Sequence, residues 1–276
     1  MKLPDNTPPK LTDTRQLDQN RRRATQEGMF LQELAIDEIK DRLTEVNRTF
    51  TKPAIVTGFP EIWSESFPNA TVVPDTEVLS LHPGEHDLVI HGLSLHWAND
   101  PIGQIIQCSR ALIKDGLFMA VMFGGQTLQE LRAVLSETEI AKTGGLSPRI
   151  LPMGEIRDLG ALLQRAGLAL PVADSALREV TYQDAFALMR DLRLMGERNA
   201  LEQRLKTPLP SSFFTELSKS YDAHFPAGNG RICASFEMIF LTGWTPDDSQ
   251  QKPLRPGSAT TRLADALGTN ETNLTD

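Results

Sequence analysis

The residues best suited to chemistry lie in one stretch, where an apolar strand is followed by histidine, serine and tryptophan. The strand is Leu88–Ile90, and His91, Ser94, His96 and Trp97 come after it. A short apolar run bounded by turn residues is typical of a buried strand in a parallel sheet. Ligands of open α/β sheets bind outside the carboxyl ends of the strands, so we expect a site here. His96 would suit a base and Trp97 an aromatic wall, but either side chain could equally fill core space.

Metal binding is the second chemistry to consider, because His82, His86, His91 and His96 are close in sequence. A metal site needs such side chains to converge, together with a carboxylate. The last two histidines straddle a loop, and the first two flank a Pro-Gly turn, so we predict no metal. The sequence also contains no Gly-x-Ser-x-Gly elbow and no His-Glu-x-x-His pair.

The composition excludes several classes of partner. The chain has 276 residues and a net charge of −8, which argues against binding to nucleic acid or anionic membrane. Its one dense basic run, Arg21–Arg23, is interpreted as a solvated helix face. No apolar run approaches the ~20 residues that span a membrane. Cys108 and Cys233 lie far apart, which indicates a reduced, cytoplasmic location.

Apolar periodicity predicts an α/β chain. Spacings of three and four indicate helices, and short apolar runs between turn residues indicate strands. The predicted strands are 53–58, 70–73, 88–90, 117–123 and 232–243, with a weaker pair at 170–174 and 178–182. We expect a flexible N-terminus at 1–20, one domain at 21–245 with a helical cap at about 144–225, and a tail at 246–276.

Several segments resemble class I S-adenosylmethionine (SAM) methyltransferases. The strand and loop at 85–100 resemble the fourth strand of that family, and residues 110–118 match its Arg-Ala-Leu-x-x-Asp-Gly-Leu-Phe motif. The segments 144–149 (Gly-Gly-Leu-Ser-Pro-Arg), 186–197 and 249–268 resemble one branch. It comprises bacterial relatives of the mitochondrial complex I assembly factor described as a protein arginine hydroxylase. More distantly, the chain resembles the malonyl-carrier-protein methyltransferases of biotin synthesis.

This resemblance implies a Rossmann-like, mostly parallel sheet with helices on both faces and an antiparallel last strand. It implies SAM as cofactor and a protein substrate or respiratory complex subunit as partner. The positions that match the cofactor site are Gly58, Asp75, His91, Gly92 and Leu93. The positions that match the catalytic loop are His96 and Trp97.

The sequence departs from the family at its cofactor loop. The family has a Gly-x-Gly-x-Gly turn after the first strand, but here Gly58 is followed by Phe59 and Pro60. The interval 59–86 is also too short for two crossovers and two strands, which need ~34 residues or more. We therefore predict that one βα unit is missing. Because 71–75 resembles the third strand of the family, the missing strand is taken as the second, whose acidic end holds the ribose.

Two functions remain open. The first is an enzyme, either a SAM-dependent methyltransferase or a hydroxylase on the same fold. The second is a non-catalytic binding or assembly protein for the respiratory NADH dehydrogenase. The resemblance favours the first, whereas the missing glycines and the missing unit favour the second and predict weak binding of SAM.

Overall fold

The computed structural model describes residues 9–251 and 261–269. Helices and strands alternate along this part of the chain. The helices are α1 (Thr14–Arg21), α2 (Phe30–Glu45), α3 (Pro60–Ser66), α4 (Pro101–Ala111), α5 (Gln129–Thr143), α6 (Ile156–Arg165), α7 (Ala185–Leu194), α8 (Ser211–His224) and α9 (Leu263–Leu267). The strands are β1 (Pro53–Thr57), β2 (Thr71–Pro74), β3 (His86–Gly92), β4 (Leu112–Phe123), β5 (Ala169–Tyr182) and β6 (Ile232–Trp244).

Within the described residues the strands form one six-stranded sheet in the order β2-β1-β3-β4-β6-β5. Strands β1 to β4 run parallel to one another, whereas β6 runs antiparallel to both of its neighbours, β4 and β5. The Rossmann-like fold with an antiparallel last strand is therefore confirmed. Only α3 separates β1 from β2, and no helix separates β2 from β3. One βα unit is thus missing, and β2 pairs directly with β1.

The sheet separates two apolar cores, because successive strand side chains point to opposite faces. In β3, Leu88 and Ile90 pack in the core that contains α2, α5, α7 and α8. Val89, between them, packs in the core that contains α4 and α6. The strand is buried along its whole length, which explains why its centre, Leu88–Ile90, is a continuous apolar run rather than an alternating one.

The predicted helical cap at 144–225 is corrected in part. This segment contributes the edge strand β5, whose two predicted halves form one strand that pairs with β6. Leu159 and Leu163 of α6 pack on one face of the sheet, while α7 and α8 pack on the other. The chain after α7 does reach the carboxyl edge, where Glu197 contacts Trp97. The cap was overestimated because helical periodicity does not show which sheet face a helix covers.

The N-terminal segment 1–20 also differs from the prediction of a flexible arm. Residues 1–8 lie outside the described part, but α1 begins at an Asp13 cap whose carboxylate accepts from the Gln16 backbone N–H. Leu17 of α1 is buried in a small core with Trp97 and Leu201. These contacts come from distant parts of the chain, so the polar local composition did not reveal them.

The chain divides into two compact units, 1–246 and 247–276. The second contains α9, and the rest of the predicted tail at 252–260 and 270–276 lies outside the described residues. Of the helices described, none is long and apolar enough to cross a membrane.

Candidate functional site

A cleft of about 1150 Å³ opens at the carboxyl ends of β1 and β2. Its walls come from four places: the loop after β1, the loop after β2, the loop after β3, and the helix α1. Gly58, Asp75 and Trp97 each border the cleft, and Arg21 of α1 borders it from the opposite side. This is the edge at which the α/β topology predicts a ligand site.

An ion pair between Arg21 and Asp75 lies in the wall of the cleft. The guanidinium Nη1 and Nη2 lie 2.8 and 2.9 Å from the two carboxylate oxygens of Asp75. The two side chains are only 10% and 12% exposed. Although burial opposes ionisation, the Arg21 charge and its hydrogen bonds hold the pKa of Asp75 below its ordinary value. The basic run is therefore only partly a solvated face, because its first arginine is inserted into the cleft.

The loop after β1 is filled by the same arginine. A Cβ atom added to Gly58 would lie 2.2 Å from the Cζ atom of Arg21, so the guanidinium packs directly on this glycine. The Phe59 ring centroid is 5.7 Å from Arg21 Cζ, within the range of a cation–π contact. Pro60 begins α3, where its missing N–H is tolerated. The loop is thus occupied by side chains of the chain itself.

A buried polar network supports the Asp75 loop from behind. Gln104 Nε2 donates to the backbone carbonyls of Asp75 and Thr76, both at 3.2 Å. Its Oε1 is 2.7 Å from His91 Nε2, so His91 must carry its proton on Nε2 to donate to it. Burial lowers the pKa of His91 to about 4. His91 is therefore neutral at pH 7 and acts on the cleft only through Gln104.

Gly92 and Leu93 have packing roles at the end of β3. A Cβ on Gly92 would lie 2.5 Å from the ring of Trp63, which is fully buried. The glycine is needed for this close approach of an indole ring. Leu93 has φ of 39° and is 1% exposed. A branched residue in the left-handed region is strained, and such strain concentrates near functional sites.

His96 and Trp97 lie in a short 3-10 turn after β3. The indole Nε1 of Trp97 donates to Glu197 Oε2 at 2.7 Å. The His96 side chain is fully buried, with its ring centroid 4.8 Å from that of Phe123. Its Nε2 is 3.5 Å from Glu197 Oε2, yet neither ring nitrogen forms a hydrogen bond. Trp97 can meet a ligand in the cleft, whereas His96 is shielded from it.

The resemblance places the adenosyl group of SAM between the loop after β1 and Asp75, and the Arg21 guanidinium packs there on Gly58 and pairs with Asp75. A nucleoside could use the Asp75 carboxylate only if this ion pair separates. As for metals, no group of three or more His, Cys, Asp or Glu suited to an ion occurs within 9–251 and 261–269.

The structure brings together three of the positions predicted for the site. Gly58, Asp75 and Trp97 border one cleft, while His91, Gly92, Leu93 and His96 are buried behind it. The roles assigned to all seven remain predictions. The sequence reasoning missed Arg21, Gln104 and Glu197. Each of these residues contacts a partner that is distant in sequence, and no local sequence pattern predicts such a pairing.

Comparison with known proteins agrees with this architecture. No protein-family model matches the chain. It is 36% identical over 202 residues to arginine-hydroxylase NDUFAF5 of Danio rerio. It is 31% identical over 188 residues to a malonyl-[acyl-carrier protein] O-methyltransferase of Laribacter hongkongensis. These matches cover 73% and 68% of this chain, and 63% and 61% of the relatives. The chain belongs to the class I methyltransferase superfamily.

Within this superfamily the similarity confirms both groups that the motifs indicated. The crystal structure of YcgJ from Bacillus subtilis superimposes with a TM-score of 0.50 at 10% identity, covering 78% of this chain and 99% of that one. This likeness concerns the fold alone. The matched region spans 42% to 63% of the first arginine-hydroxylase relatives, so activity and partners are matters for proposal.

Proposed function

We propose that this chain is a binding or assembly protein on a methyltransferase fold, which engages a subunit of the respiratory NADH dehydrogenase and does not depend on SAM. The observation that carries the proposal is the Arg21–Asp75 ion pair between the two loops that would hold the cofactor. A site that must take up SAM repeatedly would be expected to keep this space free.

The energetic consequence is large. A nucleoside that enters between Gly58 and Asp75 has to separate a buried ion pair, and breaking such a pair costs ~3–5 kcal/mol. Each 1.4 kcal/mol is about tenfold in affinity, so binding weakens by roughly a hundredfold or more. Phe59 and Pro60 add bulk where the family has glycine. A site that would otherwise bind SAM at ~1 μM would then have a dissociation constant of ~0.1 mM or weaker.

The proposed partner comes from the resemblance to the assembly-factor branch. Relatives at 36% to 39% identity carry the name arginine-hydroxylase NDUFAF5. Trp97 and Phe59 give the cleft two aromatic walls, which suit contact with a protein side chain. A protein partner at this cleft is consistent with a methyltransferase fold in which Arg21 packs on the loop after β1.

The second candidate is a SAM-dependent enzyme, and the similarity to the malonyl-carrier-protein methyltransferases supports it. Methyl transfer requires little beyond alignment of donor and acceptor, since the cofactor carries the reactive group. In this reading α1 would have to withdraw, so that Arg21 leaves the space beside Gly58. The two candidates differ in whether the cleft opens to the nucleoside without help.

Calorimetric titration with SAM and S-adenosylhomocysteine tests the proposal. The wild-type protein should show no tight binding. Arg21→Ala should bind more strongly, because the space is vacated, whereas Arg15→Ala, an exposed position on the same helix, should match the wild type. Circular dichroism at low temperature checks that each variant is folded. A low-micromolar dissociation constant for the wild type would overturn the proposal and favour the enzyme.

Titration of the wild-type protein with isolated NADH dehydrogenase subunits then tests the proposed partner.

A further inference from the structure

Four exposed arginines lie on two chain segments beside the cleft, since Arg22 lines it and a Cβ on Gly196 would lie 3.3 Å from the Phe59 ring. Arg22 and Arg23 follow α1, while Arg193 lies in the last turn of α7 and Arg198 just beyond it. Arg22 also lines the cleft itself. We call these four residues the arginine surface. They come from chain segments far apart in sequence, so only the tertiary fold assembles them.

Backbone contacts fix the two segments side by side. The Thr25 N–H donates to the Leu194 carbonyl at 2.9 Å, and Asn20 Nδ2 donates to the Arg198 carbonyl at 3.0 Å. A Cβ on Gly28 would lie 2.3 Å from the Leu194 carbonyl carbon, so the chains approach as closely as a glycine allows. The arginine surface is therefore built on rigidly paired backbone.

The four side chains have no partners within the described residues. None of them forms an ion pair or donates a side-chain hydrogen bond to any residue in 9–251 or 261–269. Two other arginines of the same region do form ion pairs, Arg21 with Asp75 and Arg204 with Asp13. In a protein with a net charge of −8, carboxylates are plentiful, and yet none covers this surface.

The like charges also act on one another. Burial, followed by the charges of Arg193 and Arg23, lowers the pKa of Arg198. Basic residues at helix C-termini offset the helix dipole, which accounts for Arg193 and for the end of α1. It does not account for Arg198, which lies outside a helix, or for two helix ends that bring their arginines together.

We propose that the arginine surface binds an acidic segment of a partner protein at the mouth of the cleft. Guanidinium groups bind carboxylates with two parallel hydrogen bonds, and a segment held by the four arginines would pass Arg22 into the cleft. The negative net charge disfavours nucleic acid as the occupant. This inference rests on the proposed function in one respect only, that the partner is a protein.

The test uses a short fluorescein-labelled peptide of alternating glutamate and glycine, with fluorescence anisotropy as readout. Its glutamine analogue and a single-stranded DNA oligonucleotide serve as competing probes. The variant Arg23→Gln/Arg193→Gln/Arg198→Gln is compared with the control Arg110→Gln/Arg157→Gln/Arg165→Gln. The control positions are exposed arginines on α4 and α6, so both triples change the net charge equally.

The wild-type protein should bind the glutamate peptide and not the glutamine analogue. Binding should weaken from about 20 to about 200 mM salt, because exposed charges are screened. The surface triple should lose about tenfold in affinity, since three exposed pairs are removed and each contributes about a few-fold at most. The control triple should stay within about twofold of the wild type.

Equal losses in both triples would show a diffuse charge effect and overturn the proposal. Stronger binding of the oligonucleotide, or no binding of the peptide, would do the same. So would a wild-type dimer that dissociates in the surface triple, because a second copy would then cover the arginines. The melting temperature of the surface triple should equal or exceed that of the wild type, since a repulsion is removed. None of these results depends on SAM, so this inference and the proposed function can fail separately.

Discussion

The two halves of the carboxyl edge of the sheet are filled in opposite ways. At the end formed by β1 and β2, a cleft remains, and the Arg21–Asp75 ion pair forms part of its wall. At the end formed by β3 and β4, aromatic packing closes the edge, with the His96 ring 4.8 Å from Phe123 and 5.8 Å from Trp97. One half is held by charge and the other by apolar contact.

This difference indicates which half of the edge a ligand could enter. An ion pair at a cleft wall can exchange one partner for a ligand group of similar charge or for a set of hydrogen-bond donors. A packed aromatic cluster has no such alternative, because interiors are close-packed and an added group would displace several side chains. Ligand entry is therefore expected at the β1–β2 half.

The largest effect is expected at the open half. Arg21→Ala leaves the Asp75 carboxylate buried without a partner, so the free energy of unfolding should fall by ~3–5 kcal/mol. Urea denaturation measures it. Arg21→Ala/Asp75→Asn should recover most of the loss, since no charge is then left unpaired. A loss no greater than in Arg15→Ala would show that the pair contributes nothing and would remove the contrast between the halves.

His91 lies at the boundary between the halves, and it should make the free energy of unfolding depend on pH. Its folded-state pKa is about 4 against an ordinary value of 6.5, so the unfolded chain binds a proton that the folded chain does not. Stability is full above pH ~6.5 and is lost as the pH falls, by roughly 3 kcal/mol on reaching pH ~4.

Urea denaturation measured between pH ~6.5 and ~5 isolates the contribution of His91 to the free energy of unfolding. The carboxylates with lowered pKa, such as Asp75, lose their contribution only below their ordinary value of 3.8 to 4.5. His91→Gln can still donate to Gln104 and should flatten the slope. An unchanged slope in that variant would mean that another group titrates.

The smallest effect is expected at the closed half. Trp97→Phe keeps the ring contact but removes the donor to the Glu197 carboxylate, and a hydrogen bond to a charged group is worth ~1.5–3 kcal/mol. A double-mutant cycle with Glu197→Ala, which removes the acceptor, measures the coupling by thermal unfolding. Coupling below ~0.5 kcal/mol would show that packing alone closes this half.

Much of the sheet was predictable from local pattern. The apolar runs of β1, β3, β4 and β6 identified strands, because a strand that is buried on both faces needs apolar side chains on both. The length of the interval 59–86, set against the family that the motifs resemble, indicated the missing βα unit, since a parallel crossover has a minimum span. The carboxyl edge followed from topology, and the cleft lies along that edge, at the ends of β1 and β2.

What the sequence by itself determined was therefore the sheet, its missing βα unit and the edge along which the cleft lies. Tertiary structure alone decided how that edge is filled. The pairing of Arg21 with Asp75 joins α1 to the end of β2, and the buried ring of Trp63, rather than a ligand, accounts for Gly92. Periodicity reports only whether a residue faces a core. Which charge meets which depends on distances between segments, and those are fixed only when the helices dock on the sheet.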